Sequence, residues 1–258
     1  VKVIDFCHCM TTDELVAITE KHIGPDTIAI GVSSTFWGSG SGVRFNPEPK
    51  WIINARDRLK DKVKLPWLLG GYASSSAALK LDWIKFHSNA EDSLLKWMDE
   101  NSGKLIRREL FDIKTLQKNF VDDDFIQPFE VVPIELGRGC QFKCRFCSYP
   151  LIGKKKGTYL RGFDYVKDEF IKNYEEYGIT KYYFQDDTVN ESEEKVRALA
   201  DIAQSLPFRL EWTGYNRLDL IHNRPGTAQM LKDSGLRSAY FGIESFHPRA
   251  AMAVGKGW

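Results

Sequence analysis

The chain has 258 residues, 43% of them hydrophobic, which is enough for one large domain or two ordinary ones. The 36 Lys and Arg residues nearly balance 35 Asp and Glu, so the formal charge of +1 gives no general reason to expect binding to nucleic acid or to a membrane. No run of about 18 apolar residues predicts a membrane span, and residues 1–6 resemble a strand and not a signal peptide. Three of the five cysteines lie within eight positions, which indicates a metal site in a reducing compartment and predicts a cytoplasmic protein.

Strands and helices alternate over the first hundred residues. Residues 3–6 predict a short strand, and Thr11 begins a capping box that opens a helix ending at Gly24. The apolar run 27–34 is typical of a parallel strand covered on both faces. Further helices and strands are predicted at 51–63, 65–71, 83–86 and 91–100. This alternation predicts an open, doubly wound α/β domain of the Rossmann type over residues 1–104.

Ligands of such sheets bind beyond the carboxyl ends of the strands. In this domain those ends carry small or polar residues, which leave room for a ligand: Ser33, Ser34, Gly70 and Gly71. The Cys-His-Cys segment at residues 7–9 is interpreted as lining of the same edge and not as a metal site.

A connector follows the first domain. Residues 105–129 have mixed polarity and no clear period, so they predict a segment without a core of its own. The acidic run 122–124 is interpreted as a solvated turn and not as a metal site.

The alternation then restarts with a strand at 131–136, which ends at glycines and delivers Cys140 to the carboxyl edge of a second parallel sheet. Three more strands are predicted at 182–187, 209–217 and 239–245. Because a closed parallel barrel takes about eight strands, residues 130–258 predict the first four strands of a partial (β/α) barrel. The edge after the fourth strand would be unprotected, which predicts that the barrel is truncated there.

Cys140, Cys144 and Cys147 have the spacing Cys-x-x-x-Cys-x-x-Cys. Three thiolates can each hold one iron of a [4Fe–4S] cluster, and the fourth iron then keeps an open position for another ligand. A structural zinc site needs four ligands, and Cys7 and Cys9 could complete one only if the two domains brought them together. A non-catalytic iron–sulfur or zinc binding module therefore stays open as an alternative of another class.

This cysteine spacing, with Phe146 before the third cysteine, resembles the signature of the radical SAM superfamily, whose fold is a six-strand partial barrel. The resemblance implies that S-adenosylmethionine (SAM) chelates the open iron through its amino and carboxylate groups. It also implies an external electron donor such as flavodoxin or ferredoxin, since a reduced cluster would cleave SAM to methionine and a 5′-deoxyadenosyl radical. That radical would abstract hydrogen from an unactivated C–H bond of a substrate that the sequence does not reveal.

The same resemblance assigns SAM contacts to the strand ends. Asp186 and Asp187 take the place of the family's Gly-Gly-Glu segment, which accepts hydrogen bonds from the SAM amino group. Glu244 and Ser245 match the ribose-binding position. Arg217 could hold the SAM carboxylate through a bidentate contact, and a solvated surface position is the alternative for this residue.

Three further features near the cysteine loop have two interpretations each. Phe146 resembles the aromatic residue that packs beside the adenine, or it is a buried core residue. Tyr149 contacts SAM or shapes the loop. The basic residues 154–156 with Arg161 attract an anionic substrate or form a solvated loop.

A Rossmann-like domain directly before such a motif resembles the cobalamin-binding domain of B12-dependent radical SAM enzymes. The resemblance implies cobalamin as a further cofactor near Ser33, Ser34, Gly70 and Gly71, and methylation of an unactivated carbon as the reaction. Oxidation, rearrangement or sulfur insertion without cobalamin is the alternative. The Asp-x-His-x-x-Gly motif of some B12 proteins is absent. The first strand aligns with the second strand of that domain, which predicts a chain truncated at its start as well.

Overall fold

The computed structural model describes residues 2–4, 7–34, 50–71, 74, 81–86, 90–103, 111–121, 124, 126–147 and 158–256. The chain divides into two compact units, Val1–Phe111 and Asp112–Trp258, and each contains its own parallel sheet. The predictions for Tyr149, for the lysines at 154–156 and for the acidic residues 122 and 123 lie outside the described residues.

The first unit contains a three-stranded parallel sheet in the order β1-β2-β3. Its strands are β1 (Ile30–Ser33), β2 (Trp67–Gly70) and β3 (Ile84–Lys85), and its helices are α1 (Thr12–His22), α2 (Lys50–Leu59) and α3 (Glu91–Ser102). The predicted α/β class is confirmed. Val3 and Ile4, however, lie outside any strand, and Cys7–Cys9 forms a 3-10 helix before α1.

Local sequence explains how α1 begins and how it packs. Thr11 accepts a hydrogen bond from the Glu14 amide, and the Glu14 carboxylate accepts one from the Thr11 amide, so the predicted capping box is formed. Apolar residues of α1, α2 and the sheet then meet in one core, and the Trp67 and Trp83 ring centroids lie 5.3 Å apart. The core consists of Leu15, Val16, Ile52, Ala55, Leu59, Trp67, Leu69 and Trp83.

The second unit contains four parallel strands in the order β4-β5-β6-β7. They are β4 (Val131–Ile134), β5 (Lys181–Phe184), β6 (Glu211–Asn216) and β7 (Leu236–Phe241). The helices are α4 (Phe163–Tyr177), α5 (Glu193–Ser205), α6 (Leu218–Asn223), α7 (Thr227–Asp233) and α8 (Pro248–Ala253). Among the described residues this sheet is an open arc of four strands, which agrees with the four strands predicted from the sequence.

Edge-to-face aromatic contacts fill the core between this sheet and its helices. The Phe170 ring of α4 lies 4.7 Å from Tyr182 and 6.4 Å from Phe184 of β5, measured between centroids, and Phe184 lies 4.8 Å from Trp212 of β6. All four side chains are at most 1% exposed. Alternate residues of β5 and β6 therefore point toward the helices, and the residues between them point to the opposite face of the sheet.

Much of the predicted connector packs against the second unit. The Arg161 guanidinium donates hydrogen bonds to the Leu116 carbonyl and forms a buried ion pair with Glu169, and the Glu169 carboxylate also accepts the Lys118 amide at 3.0 Å. Arg161 is only 3% exposed. This corrects its interpretation as part of a solvated or anion-attracting loop, because the guanidinium fixes residues 112–121 to α4.

None of the described helices combines the length and the apolar character that crossing a membrane would take.

Candidate metal centre

The cysteine loop leaves β4 through a tight glycine turn. Gly137 forms an antiparallel bridge with Leu160, and a Cβ atom added to Gly137 would lie 2.9 Å from the Tyr159 carbonyl oxygen. Gly139 has a φ of 88°, which favours glycine. No larger residue fits this turn without a shift, so the two glycines fix the direction in which the loop leaves the sheet.

The three cysteines of the loop have different surroundings. None of them forms a disulfide bond, and Cys140 is buried, Cys144 is half-buried and Cys147 is exposed. The Cys140 sulfur lies 3.4 Å from the Thr188 hydroxyl, and burial raises the pKa of the Cys140 thiol. Its neighbour Gln141 donates its amide to the Glu191 carboxylate at 3.2 Å. The first cysteine is thus attached to the segment between β5 and α5.

A buried ionic network lies beneath this segment. The Lys195 ammonium donates to Asp186 at 2.7 Å, to Glu191 at 3.0 Å and to the Thr188 carbonyl at 3.3 Å. The second Asp186 oxygen accepts the Leu136 amide at 2.7 Å. Burial raises the pKa of Asp186, and the positive charge of Lys195 opposes this shift.

The structure gives different surroundings to Asp186 and Asp187, the pair predicted to contact SAM. Asp186 is 1% exposed and both of its oxygens accept hydrogen bonds from the chain, so it acts as an anchor between β4 and α5. Asp187 is half-buried and is the member of the pair that keeps a SAM contact as a candidate role.

Arg217 contacts the second cysteine. Its Nη1 atom lies 3.5 Å from the Cys144 sulfur, and its guanidinium carbon lies 4.1 Å from the centroid of the Phe142 ring. Its Nε and Nη2 atoms bind the Asp219 carboxylate. The bidentate contact expected with the SAM carboxylate is made with Asp219 in this structure, and the alternative of a solvated Arg217 is wrong, because the residue is 7% exposed.

The end of β7 supplies a third side of the site. Glu244 has a φ of 55° and forms an ion pair with Lys256, whose ammonium also donates to the Gly242 carbonyl. The same ammonium lies 5.7 Å from the centroid of the Phe146 ring. Phe146 is 52% exposed, so it is not a core residue. The Ser245 hydroxyl accepts the amide of His247 at 3.1 Å and so helps to begin α8.

The sequence alone did not identify Lys256. The segment after α8 returns to the cysteine loop, where the Arg145 amide donates to the Val254 carbonyl at 2.9 Å. A Cβ atom on Gly255 would lie 3.3 Å from the Lys143 carbonyl oxygen. Only a lysine between two glycines marks this position in the sequence, and such a pattern is common in ordinary surface loops.

The donor set fits an iron–sulfur cluster by its chemistry. Three cysteines without disulfide bonds supply the thiolates that such a cluster needs, and the Arg217 guanidinium beside the Cys144 sulfur favours its thiolate form. Within the part of the chain that the structure describes, no three His, Cys, Asp or Glu side chains converge on a point that could hold a metal ion. The loop therefore contains the three ligand residues, but their sulfur atoms do not converge on one point in this structure.

The carboxyl edge of the first sheet brings the predicted cobalamin-lining residues together. Ser33 is the register partner of Gly70, and the Ser34 hydroxyl and amide both donate to the Gly70 carbonyl, at 2.7 and 2.8 Å. Among the described residues, no atom lies within 4 Å of a Cβ atom added to Gly70. Gly71 turns away from the strand with a φ of 87°. As far as the described residues show, the edge is open at Gly70, while the Ser34 hydrogen bonds join β1 to β2.

The second unit carries a radical SAM domain. Residues 134–258 match the family model described as the Radical SAM superfamily, which confirms the resemblance based on the cysteine spacing.

Curated relatives of the chain are methyltransferases. One, an uncharacterized methyltransferase of Pyrococcus horikoshii, is 33% identical over 132 residues, which cover 50% of this chain and 27% of the relative. Another, the bacteriochlorophyllide d C-12(1)-methyltransferase of Chlorobaculum tepidum, is 27% identical over 130 residues, covering 50% of this chain and 28% of the relative. The matched segments thus span little more than a quarter of these relatives.

Solved structures match both units. The cobalamin-dependent SAM radical enzyme OxsB, with aqua-cobalamin and SAM bound, superposes with a TM-score of 0.70 at 14% identity, over 96% of this chain and 39% of OxsB. The radical SAM methyltransferase TsrM from Kitasatospora setae gives 0.65 at 16% identity, over 98% and 55%. At these identities the likeness establishes the fold. The predicted α/β architecture, a Rossmann-like domain followed by a partial barrel, is confirmed.

Proposed function

We propose that this chain forms the cofactor-binding part of a radical SAM enzyme that methylates an unactivated carbon with the help of cobalamin. The observation that carries the proposal is the cysteine loop at the carboxyl edge of a parallel arc, with charged residues from neighbouring strand ends around it. A structural metal module would not need those charged residues.

Cys140, Cys144 and Cys147 would hold a [4Fe–4S] cluster. Such a cluster, with its open iron, supplies one-electron reduction of SAM when both are bound. Exposed Lys143 and Arg145 beside Cys147 support docking of an acidic electron donor, such as flavodoxin or ferredoxin. Cysteines without disulfide bonds favour a reducing, cytoplasmic compartment.

The chain's own residues would bind and orient SAM. Asp187 would accept hydrogen bonds from the SAM amino group, and Glu244, with Ser245 beside it, would accept the ribose hydroxyls. Phe146 offers an exposed ring on which the adenine can pack, and Tyr149 is proposed to lie against the same ligand. Glu244 forms an ion pair with Lys256, so a ligand that bound Glu244 would also meet the Lys256 charge.

Cobalamin would bind at the open edge formed by Ser33, Ser34, Gly70 and Gly71. The support is the fold of the first unit and its likeness to OxsB, which is described as cobalamin-dependent. The names of the curated relatives support methyl transfer.

Anaerobic reconstitution of the full-length protein with iron and sulfide tests the proposal. We expect about four irons per chain and SAM cleavage that Cys144→Ala abolishes, since three thiolates hold the cluster. Cys9→Ala, which removes an exposed thiol outside the loop, is the matched control and should keep both. A colourless zinc protein would overturn the proposal. Co-elution of hydroxocobalamin tests the cofactor, and failure to bind it would leave radical chemistry without methyl transfer.

A further inference from the structure

One N–H group of the Arg217 guanidinium points to the sulfur of Cys144. Its Nε and Nη2 atoms form the edge that binds Asp219, which leaves Nη1 at 3.5 Å from the sulfur. The flat face of the guanidinium lies on the Phe142 ring. Phe142 belongs to the cysteine loop itself, so Arg217 contacts the loop both at a sulfur and at an aromatic face.

The position of Arg217 is fixed by its neighbours and does not require a ligand. The Asn190 side chain accepts the Arg217 amide at 2.8 Å and donates to the Arg217 carbonyl at 2.9 Å. Asn190 is 0% exposed. With the backbone held by Asn190 and the guanidinium held by Asp219 and Phe142, the side chain loses little further freedom when Cys144 becomes a metal ligand.

A fixed positive charge beside a cluster sulfur changes how easily the cluster accepts an electron. Reduction adds negative charge to the iron–sulfur core and to its thiolates. A cation or N–H donor at a ligand sulfur stabilises the reduced form more than the oxidised form and raises the potential. Burial strengthens the effect, because water screens the charge less there.

We propose that Arg217 raises the reduction potential of the cluster through its Nη1–H group at the Cys144 sulfur, and that the negative charge of Asp219 partly offsets this effect. The inference rests on the proposed function, because it needs the cluster. It gives Arg217 a role that operates before SAM binds, unlike a contact with the SAM carboxylate.

The test measures the midpoint potential of the reconstituted full-length protein without SAM, by redox titration with the reduced cluster followed by electron paramagnetic resonance. In Arg217→Gln we expect full iron content and a potential at least 59 mV lower, a tenfold change in the equilibrium constant of a one-electron couple. Asp219→Asn removes the negative charge but keeps an amide oxygen that can accept a hydrogen bond from the guanidinium, so Arg217 stays in place and the potential should be higher than that of the wild type. If the two substitutions only disturbed the local structure, they would shift the midpoint potential in the same direction.

Three results overturn the inference. One is an Arg217→Gln potential equal to that of the wild type, with loss only of SAM affinity. Another is a lower potential in Asp219→Asn. If Arg217→Gln does not retain iron, Asp219→Asn decides, and an unchanged potential there refutes the role. Failure of the wild-type protein to bind about four irons would instead refute the proposed function, and it is measured first.

Discussion

Lys195 forms ion pairs with two buried carboxylates, Asp186 and Glu191, and its removal has a calculable cost. In Lys195→Met the ammonium is lost, while Asp186 and Glu191 stay in a site where they are 1% and 0% exposed. Breaking a buried ion pair from one side costs about 3–5 kcal/mol. Asp186 keeps the Leu136 amide and Glu191 keeps the Gln141 amide, so we expect the lower end, about 3 kcal/mol.

Urea unfolding followed by circular dichroism measures this loss. With an m-value of about 2 kcal/mol per molar urea, a loss of about 3 kcal/mol lowers the midpoint by about 1.5 M. Lys96→Met is the control, because the Lys96 side chain is 77% exposed and pairs with Glu100 at 3.9 Å on α3, and it should cost no more than about 0.5 kcal/mol.

The pH dependence of the variant provides a second readout. Without Lys195, burial raises the folded-state pKa of Asp186 above its unfolded value. The protonated form is then favoured in the folded state, so the variant recovers stability as the pH falls through that raised pKa and loses it again as the pH rises. A loss below about 1 kcal/mol near pH 8, or a loss that does not change with pH, would refute the role of the network.

Two further outcomes are expected. Gly137→Ala should cost about 1–3 kcal/mol and lower the iron content after reconstitution, because its Cβ atom would lie 2.9 Å from the Tyr159 carbonyl oxygen. In the control Gly31→Ala the added Cβ atom would meet no described atom within 4 Å, so the iron content should be unchanged, and equal iron in both variants would contradict the argument. Glu244→Gln should weaken SAM binding about tenfold by calorimetry, since about 1.4 kcal/mol is lost with the charged acceptor; an unchanged affinity would remove Glu244 from the proposed site.

The strands were predictable because apolar residues recur with a clear period. The alternation of Tyr182 and Phe184 toward the helices, continued by two residues, places Asp186 on the helix side as well, where Lys195 meets it. The sequence thus contained a signal that separates Asp186 from Asp187. The resemblance to the family did not use it, because a family motif assigns a role to a segment and not to one face of it.

Other parts of the site could not be predicted, because they depend on contacts between residues far apart in the chain. Arg217 and Cys144 are 73 positions apart in the sequence, and Lys118 and Glu169 are 51 positions apart. Whether an arginine at a strand end is solvated or buried is decided by such partners. The local sequence pattern predicts where the strand ends. Only the packed structure shows that the Arg217 guanidinium is already bound to Asp219.

The return of the segment after α8 to the cysteine loop has a consequence for biosynthesis. The Arg145 amide receives its partner, Val254, only when the fourth βα unit has been made. During translation the cysteines leave the ribosome about 110 residues earlier, a delay of roughly 5–20 s at ordinary elongation rates. Until then the loop lacks the hydrogen bond between Arg145 and Val254, so we expect the cysteines to reach their final arrangement, and the cluster to assemble, only after β7 has joined the sheet and α8 has folded.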